Sequence, residues 1–231
     1  MNEQPAVRAG DLMAGALRDL FRPPFLTFLL LGLFVQLVFV TIPVGLGDPT
    51  GITTLVLLGV TLFIDIATTL AAGADNEERR ADPWVKAALR RRCFWRYVVT
   101  TIITAVLIGL SAVALIVGAI FAGAVLGLAQ PSVVLERQSP GRALQRSAEL
   151  SRRARKPLMI VFTCLIILPQ VVPALLVQMD LSVGIVFELA SFAAVIFTTA
   201  GIMAMTRAFV ALGGTATPSL DELLATSPAR T

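Results

Sequence analysis

From Tyr97 to Ala129 the chain carries no charged side chain. About 33 residues of α-helix would run for roughly 50 Å, whereas one upright crossing of a hydrocarbon core of about 30 Å needs only about 20 residues. The stretch is therefore either one strongly tilted helix or two short helices folded back on each other. The flanking charge decides between them. Basic residues crowd both sides, from Arg79 to Arg96 and again from Arg137 to Lys156. A single crossing would put these groups on opposite faces of a membrane, against the tendency of Lys and Arg to remain on the cytoplasmic side. Two passes keep them together, with membrane segments over about residues 97–112 and 115–130 and a turn within Gly109–Gly118.

The same reasoning extends along the chain. Apolar segments at about residues 25–44 and 52–73 are joined by the turn sequence GLGDPTG, and those at 158–177 and 183–205 by QMDLS. With six crossings and both termini inside, all 19 Lys and Arg fall on the cytoplasmic face, and the outer turns hold only Asp48 and Asp180 as charges. Composition agrees. Of 231 residues 56% are hydrophobic, and a mean hydropathy of +0.83 leaves too little polar surface for a soluble domain of this size. The expected fold is an all-α protein of the cytoplasmic membrane, a single six-helix domain over residues 1–212 with N- and C-termini cytoplasmic. A polar tail follows over 213–231, with a short helix at Leu220–Leu224. The first apolar run is too long for a cleaved signal and follows Glu3, Asp11 and Asp19. The net charge of +4 reads as this inside bias, so nucleic acid is not an expected partner.

Three basic amphipathic stretches, about residues 9–22, 83–96 and 139–155, each precede a membrane hairpin. In the first, Leu12, Met13, Ala16 and Leu20 share one helical face and Asp11, Arg18 and Arg22 the other, until Pro23 and Pro24 break the helix. All three contain Ala-Leu before basic residues: Ala16-Leu17, Ala88-Leu89 and Ala143-Leu144. The chain thus reads as three repeats of basic interfacial helix plus hairpin. Such repeats occur where units enclose a site, and equally where a hairpin was merely duplicated. Ala119, Gly123 and Gly127 put small residues at every fourth position, which allows close helix approach. Trp84, Trp95 and Tyr97 fit interfacial anchors.

In the central polar segment Pro131–Pro157, which includes the third stretch, Pro131 and Glu136 in PSVVLE, followed by Ala143-Leu144, Arg146-Ser147 and Leu150, resemble a membrane family. It is the integral-membrane domain attached to some bacterial glycerophosphodiester phosphodiesterases, which also occurs as stand-alone proteins. About twenty residues carry the resemblance, which implies the membrane layout but no phosphodiesterase chemistry. That chemistry belongs to a separate soluble domain, and a chain with no histidine could not supply its usual catalytic residues.

The absence of histidine removes the commonest general base and metal ligand, and Cys93 and Cys164 are too far apart in sequence to suggest a metal or disulfide framework. No metal and no cofactor are expected. Asp65, within LFIDIATT, is the sharpest candidate, because a carboxylate at membrane depth is costly unless paired, protonated or in a wet cavity. It is either a proton-transfer group, ion ligand or partner contact, or a structural acid bonded through Thr68 or Thr69. Glu188 is the second candidate acid, able to share a cavity with Asp65 or to sit near the outer surface. Gln170, between Pro169 and Pro173, marks a bent helix. Glu136 is expected to pair with a basic residue of another repeat. Arg90, Arg91, Arg92, Arg142, Arg146, Arg152 and Arg153 are expected to meet anionic lipid headgroups, or else a partner protein.

Three functions follow. The first is an integral-membrane accessory or scaffold subunit, working with another membrane subunit. The second is a cofactor-independent proton-transfer enzyme of epimerase or isomerase type, acting on a lipid or hydrophobic peptide through Asp65 and Glu188. The third is a small transporter or immunity protein.

Overall fold

The computed structural model describes residues 8–46, 51–74, 81–90, 93–114, 116–178 and 185–217, and all regular structure among them is helical. In chain order the helices are α1 (Ala9–Leu20), α2 (Phe25–Leu46) and α3 (Gly51–Ala72), followed by α4 (Asp82–Arg90), α5 (Phe94–Ala114), α6 (Ile116–Leu126) and α7 (Ala129–Leu135). Next come α8 (Pro140–Ser151), then α9 (Arg155–Phe162) and α10 (Leu168–Gln178) joined by a π-helical turn at Thr163–Ile167, and finally α11 (Ile185–Ala211). The turns carrying Asp48 and Asp180, and the tail helix expected at Leu220–Leu224, lie outside the described residues.

Among the described residues five helical stretches are long and apolar enough to cross a membrane: Leu55–Ala72, Phe94–Ser111, Gly118–Leu135, Arg155–Pro173 and Glu188–Ala211. A sixth crossing is counted if α1 and Phe25–Val38, which meet at 78°, are taken as one bent span. The charge-free run is folded back. The α5 and α6 helices pack along each other, and Gln130 Nε2 donates to Thr101 Oγ1 at 3.4 Å across the hairpin.

Of the expected interfacial stretches, α4 ends sooner than the range 83–96. Its apolar side is spent on Trp84, Ala87 and Ala88, which are buried, and residues 94–96 already begin α5. The alanine of each Ala-Leu pair is buried, Ala16 in α1, Ala88 in α4 and Ala143 in α8. Trp95 is 74% exposed, as an anchor would be, but Trp84 and Tyr97 are core residues at 1%. Their large rings fill the space between helices instead of meeting headgroups.

The hub of the bundle is α11, which packs against α1, α2, α3, α7, α9, α10 and the π turn. Ala200, Ala204 and Ala208 recur every fourth residue along it and are buried, so neighbouring backbones approach closely. The same device works in α6. A Cβ on Gly123 would fall 1.9 Å from the Phe162 ring, so only glycine lets α9 seat there. The π turn precedes Pro169, which lacks the N–H that would bond the Leu165 carbonyl, and the helix widens to accommodate the loss.

One end of the bundle collects the charge. Arg207 of α11 donates to Asp19 of α1 at 2.9 Å, and Asp19 also meets Arg22 at 3.2 Å. After α11, Gly213 adopts φ +96° and the N–H of Gly214 bonds back to the Phe209 carbonyl at 2.9 Å, a glycine-based helix stop. The chain then folds across this end. Thr217 N–H donates to the Gly73 carbonyl and its hydroxyl to the Leu70 carbonyl, both at 2.8 Å, closing the end of α3.

Candidate functional site

The Asp65 carboxylate faces a cavity of about 230 Å³ enclosed by α3, α5, the α6–α7 junction, α9 with its π turn, and α11. Along α3, Ile66, Ala67 and Leu70 are buried, and Asp65 and Thr69 line the cavity. Thr101 and Thr104 come from α5, Gln130 and Pro131 from α7, and Thr198 and Thr206 from α11. Ile108, Phe162, Ile166, Ile202 and Met205 make the apolar wall. Ala105 is exposed and also lines the space, so the cavity reaches the outside of the bundle along α5.

Most of the threonine hydroxyls are occupied. Thr68 and Thr69 donate to the Ile64 and Asp65 carbonyls at 2.8 Å, and Thr206 donates to the Ile202 carbonyl at the same distance. Thr68 and Thr69 therefore do not hold the Asp65 carboxylate, because a hydroxyl on a helix finds its own preceding turn first. Among the described residues Asp65 has no ion pair and no side-chain hydrogen bond. The buried Tyr97 phenol on α5 lies within range of its charge. Thr104 differs from its neighbours. The residue is only 6% exposed, and its hydroxyl oxygen has no hydrogen-bond partner among the described residues. A buried, unpaired hydroxyl costs about 1–3 kcal/mol.

Glu188 does not join this site. It sits in the first turn of α11, ten residues before Thr198, or about 15 Å along the helix axis. The contacts at the charged end bring the last turns of α3 and α11 together, so the two helices run in the same direction. Asp65 is close to that end of its helix and Glu188 far from it, which separates the acids in depth. Gln170 is exposed and donates to Thr198 Oγ1 at 3.1 Å, linking α10 to α11 at the cavity wall.

Glu136 organises a second polar cluster where α7 ends. Its Oε1 lies 3.7 Å from Arg146 Nε and accepts from the Thr215 N–H at 3.2 Å, while Oε2 accepts from Gln138 Nε2 at 2.7 Å. Arg146 of α8 thus supplies a basic partner for Glu136, and it also donates to the Gly213 carbonyl at 3.1 Å. Arg137 turns the chain there with φ 54°, and its carbonyl accepts from Arg96 at 2.8 Å. Arg90, Arg142, Arg152 and Arg153 are exposed, and Arg91 and Arg92 lie outside the described residues.

Sequence reasoning missed Thr101, Thr104, Gln130 and Thr198 around Asp65, and the Asp19–Arg207 pair. The signal for the first group was hydroxyls at helical spacing inside otherwise apolar runs. For the second it was the lone arginine near the end of α11. No group of three or more potential metal-ligating His, Cys, Asp or Glu residues occurs among the described residues. Compared with known families, curated proteins and solved structures, the chain is matched by no family model, no curated protein and no solved structure.

Proposed function

We propose that this chain is a non-catalytic accessory subunit of the cytoplasmic membrane that binds a ligand at Asp65 and works beside another membrane subunit. One observation carries the reading: the cavity is lined by a single carboxylate and by Thr104, whose buried hydroxyl has no partner among the described residues. That set is equipped to bind, whereas moving a proton on and off a substrate needs an acid and a base in reach of the same atom. Glu188, the candidate for the second role, is displaced by about four helical turns from Asp65 in depth. The π turn beside the cavity is the kind of helix irregularity found at functional sites.

The six-crossing topology with both ends cytoplasmic, and the three-unit repeat, belong to the same proposal. The buried alanine shared by α1, α4 and α8 supports the repeat, and the gathering of basic residues at one end supports the orientation. The family resemblance is also part of it, with Pro131 at the cavity, Glu136 paired to Arg146, and Ala143, Ser147 and Leu150 buried. The test is the mass of the chain purified from its own membranes in mild detergent, read by light scattering. A second polypeptide in fixed ratio is expected. A homogeneous monomer would refute the accessory role.

A further inference from the structure

We infer that the Asp65 cavity is a binding site for an organic monocation that carries a primary ammonium group on a short apolar body. The inference rests on the reading of this cavity as the functional site, and it names the ligand. The argument starts from charge. A carboxylate at hydrocarbon depth is tolerated when something neutralises it, and among the described residues Asp65 has no cationic partner. A ligand with one positive charge brings the site to neutrality.

The free acceptors then define the head group. Thr69 and Thr206 have spent their protons on carbonyls, Thr198 accepts from Gln170, and Thr101 accepts from Gln130. Hydroxyls so engaged still offer lone pairs, so with the Asp65 carboxylate and the Gln130 carbonyl oxygen the lining consists mainly of acceptors. A primary ammonium presents three N–H donors and no acceptor, which suits that set. A quaternary ammonium has no donor to offer them. A divalent metal ion would overcompensate the single carboxylate and leave a net positive charge at membrane depth. Thr104 lines the same cavity, and its buried hydroxyl, without a partner among the described residues, is the independent sign that a partner belongs here.

The remaining volume sets the body of the ligand. Ile108, Phe162 and Ile166 form an apolar wall, and about 230 Å³ holds a chain of a few carbons. Ala105 marks the way out along α5, so the ligand enters from the hydrocarbon side, where a short alkyl group partitions readily.

The test uses the full chain in nanodiscs at pH 7 with n-hexylammonium chloride as the probe, read as a saturable rise in the thermal unfolding midpoint. n-Hexanol at the same concentration controls for partitioning, and sodium chloride at the same ionic strength controls for the ion alone. The probe is expected to stabilise the wild type, with binding about tenfold or more weaker in Asp65→Asn and in Thr104→Val, as loss of a charge-assisted hydrogen bond requires. Thr104→Val preserves the shape of the side chain and removes an unpaired hydroxyl, so the ligand-free variant should fold at least as well as the wild type. Equal stabilisation by hexanol, saturation by sodium chloride alone, or undiminished binding to Asp65→Asn overturns the assignment. Such a failure leaves the partner-association measurement untouched. A monomeric protein that still binds the probe overturns the accessory role and keeps the ligand.

Discussion

At the scale of single residues, the ion pair between Asp19 and Arg207 shows how a charge inside a helical bundle earns its place. Both side chains are about one-quarter exposed and meet at 2.9 Å, so the pair is partly shielded from water without being fully desolvated. Pairs of this kind contribute on the order of 1 kcal/mol. We predict a coupling of that size in a double-mutant cycle of Asp19→Asn and Arg207→Gln, followed by thermal unfolding in detergent. Additive single losses would show that the contact is not energetically coupled. Asp65 differs in having no ion pair and no side-chain hydrogen bond among the described residues, and there the sequence was informative, because an isolated acid within LFIDIATT demanded an explanation. Thr104 was not legible. A threonine in an apolar helix ordinarily bonds its own backbone, and only the assembled cavity reveals that this one does not.

At the scale of elements, close approach and termination control the packing. Gly123 admits the Phe162 ring between α6 and α9, and Phe162 in turn forms part of the cavity wall. Gly123→Val is predicted to destabilise by about 1–3 kcal/mol, the usual cost of overpacking, and to perturb ligand binding with it. Gly109→Val, where nothing lies within 4 Å of the added Cβ, serves as the control. A similar loss in both variants would show that helix propensity, not the Phe162 contact, is responsible. Gly213 ends α11 in a left-handed conformation that costs an L-residue roughly 1–2 kcal/mol. Gly213→Ala should therefore loosen the segment that carries Thr215 and Thr217 across the bundle end. Hydrogen exchange at the Thr217 amide, bonded to the Gly73 carbonyl, should rise while exchange in the middle of α11 stays protected. Unchanged exchange at Thr217 would show that the clasp does not depend on the stop.

At the scale of the whole molecule, the strongest prediction concerns orientation. Reporter fusions after Leu46 and Gln178 are predicted to lie outside the cytoplasm, and fusions after Arg90 and Thr231 inside. The reverse result at either pair would overturn the positive-inside argument. The sequence by itself determined that the chain is helical, apolar enough for several crossings, and folded back within the charge-free run. Hydropathy, helix rise and the position of charge are local properties, legible without knowing which helices touch. It also exposed the alanines Ala16, Ala88 and Ala143, because each recurs in an Ala-Leu pair before basic residues. The tertiary structure alone decided that α11 is the hub, that Trp84 and Tyr97 are core and not anchors, and that Glu188 lies far from Asp65. Lateral helix order, rotation and depth depend on how small residues and rings interlock, and a uniformly apolar helix such as α11 carries no stripe to announce its neighbours. The cavity is the sum of those choices: five separate helical segments each contribute two to four residues, and no stretch of sequence contains it.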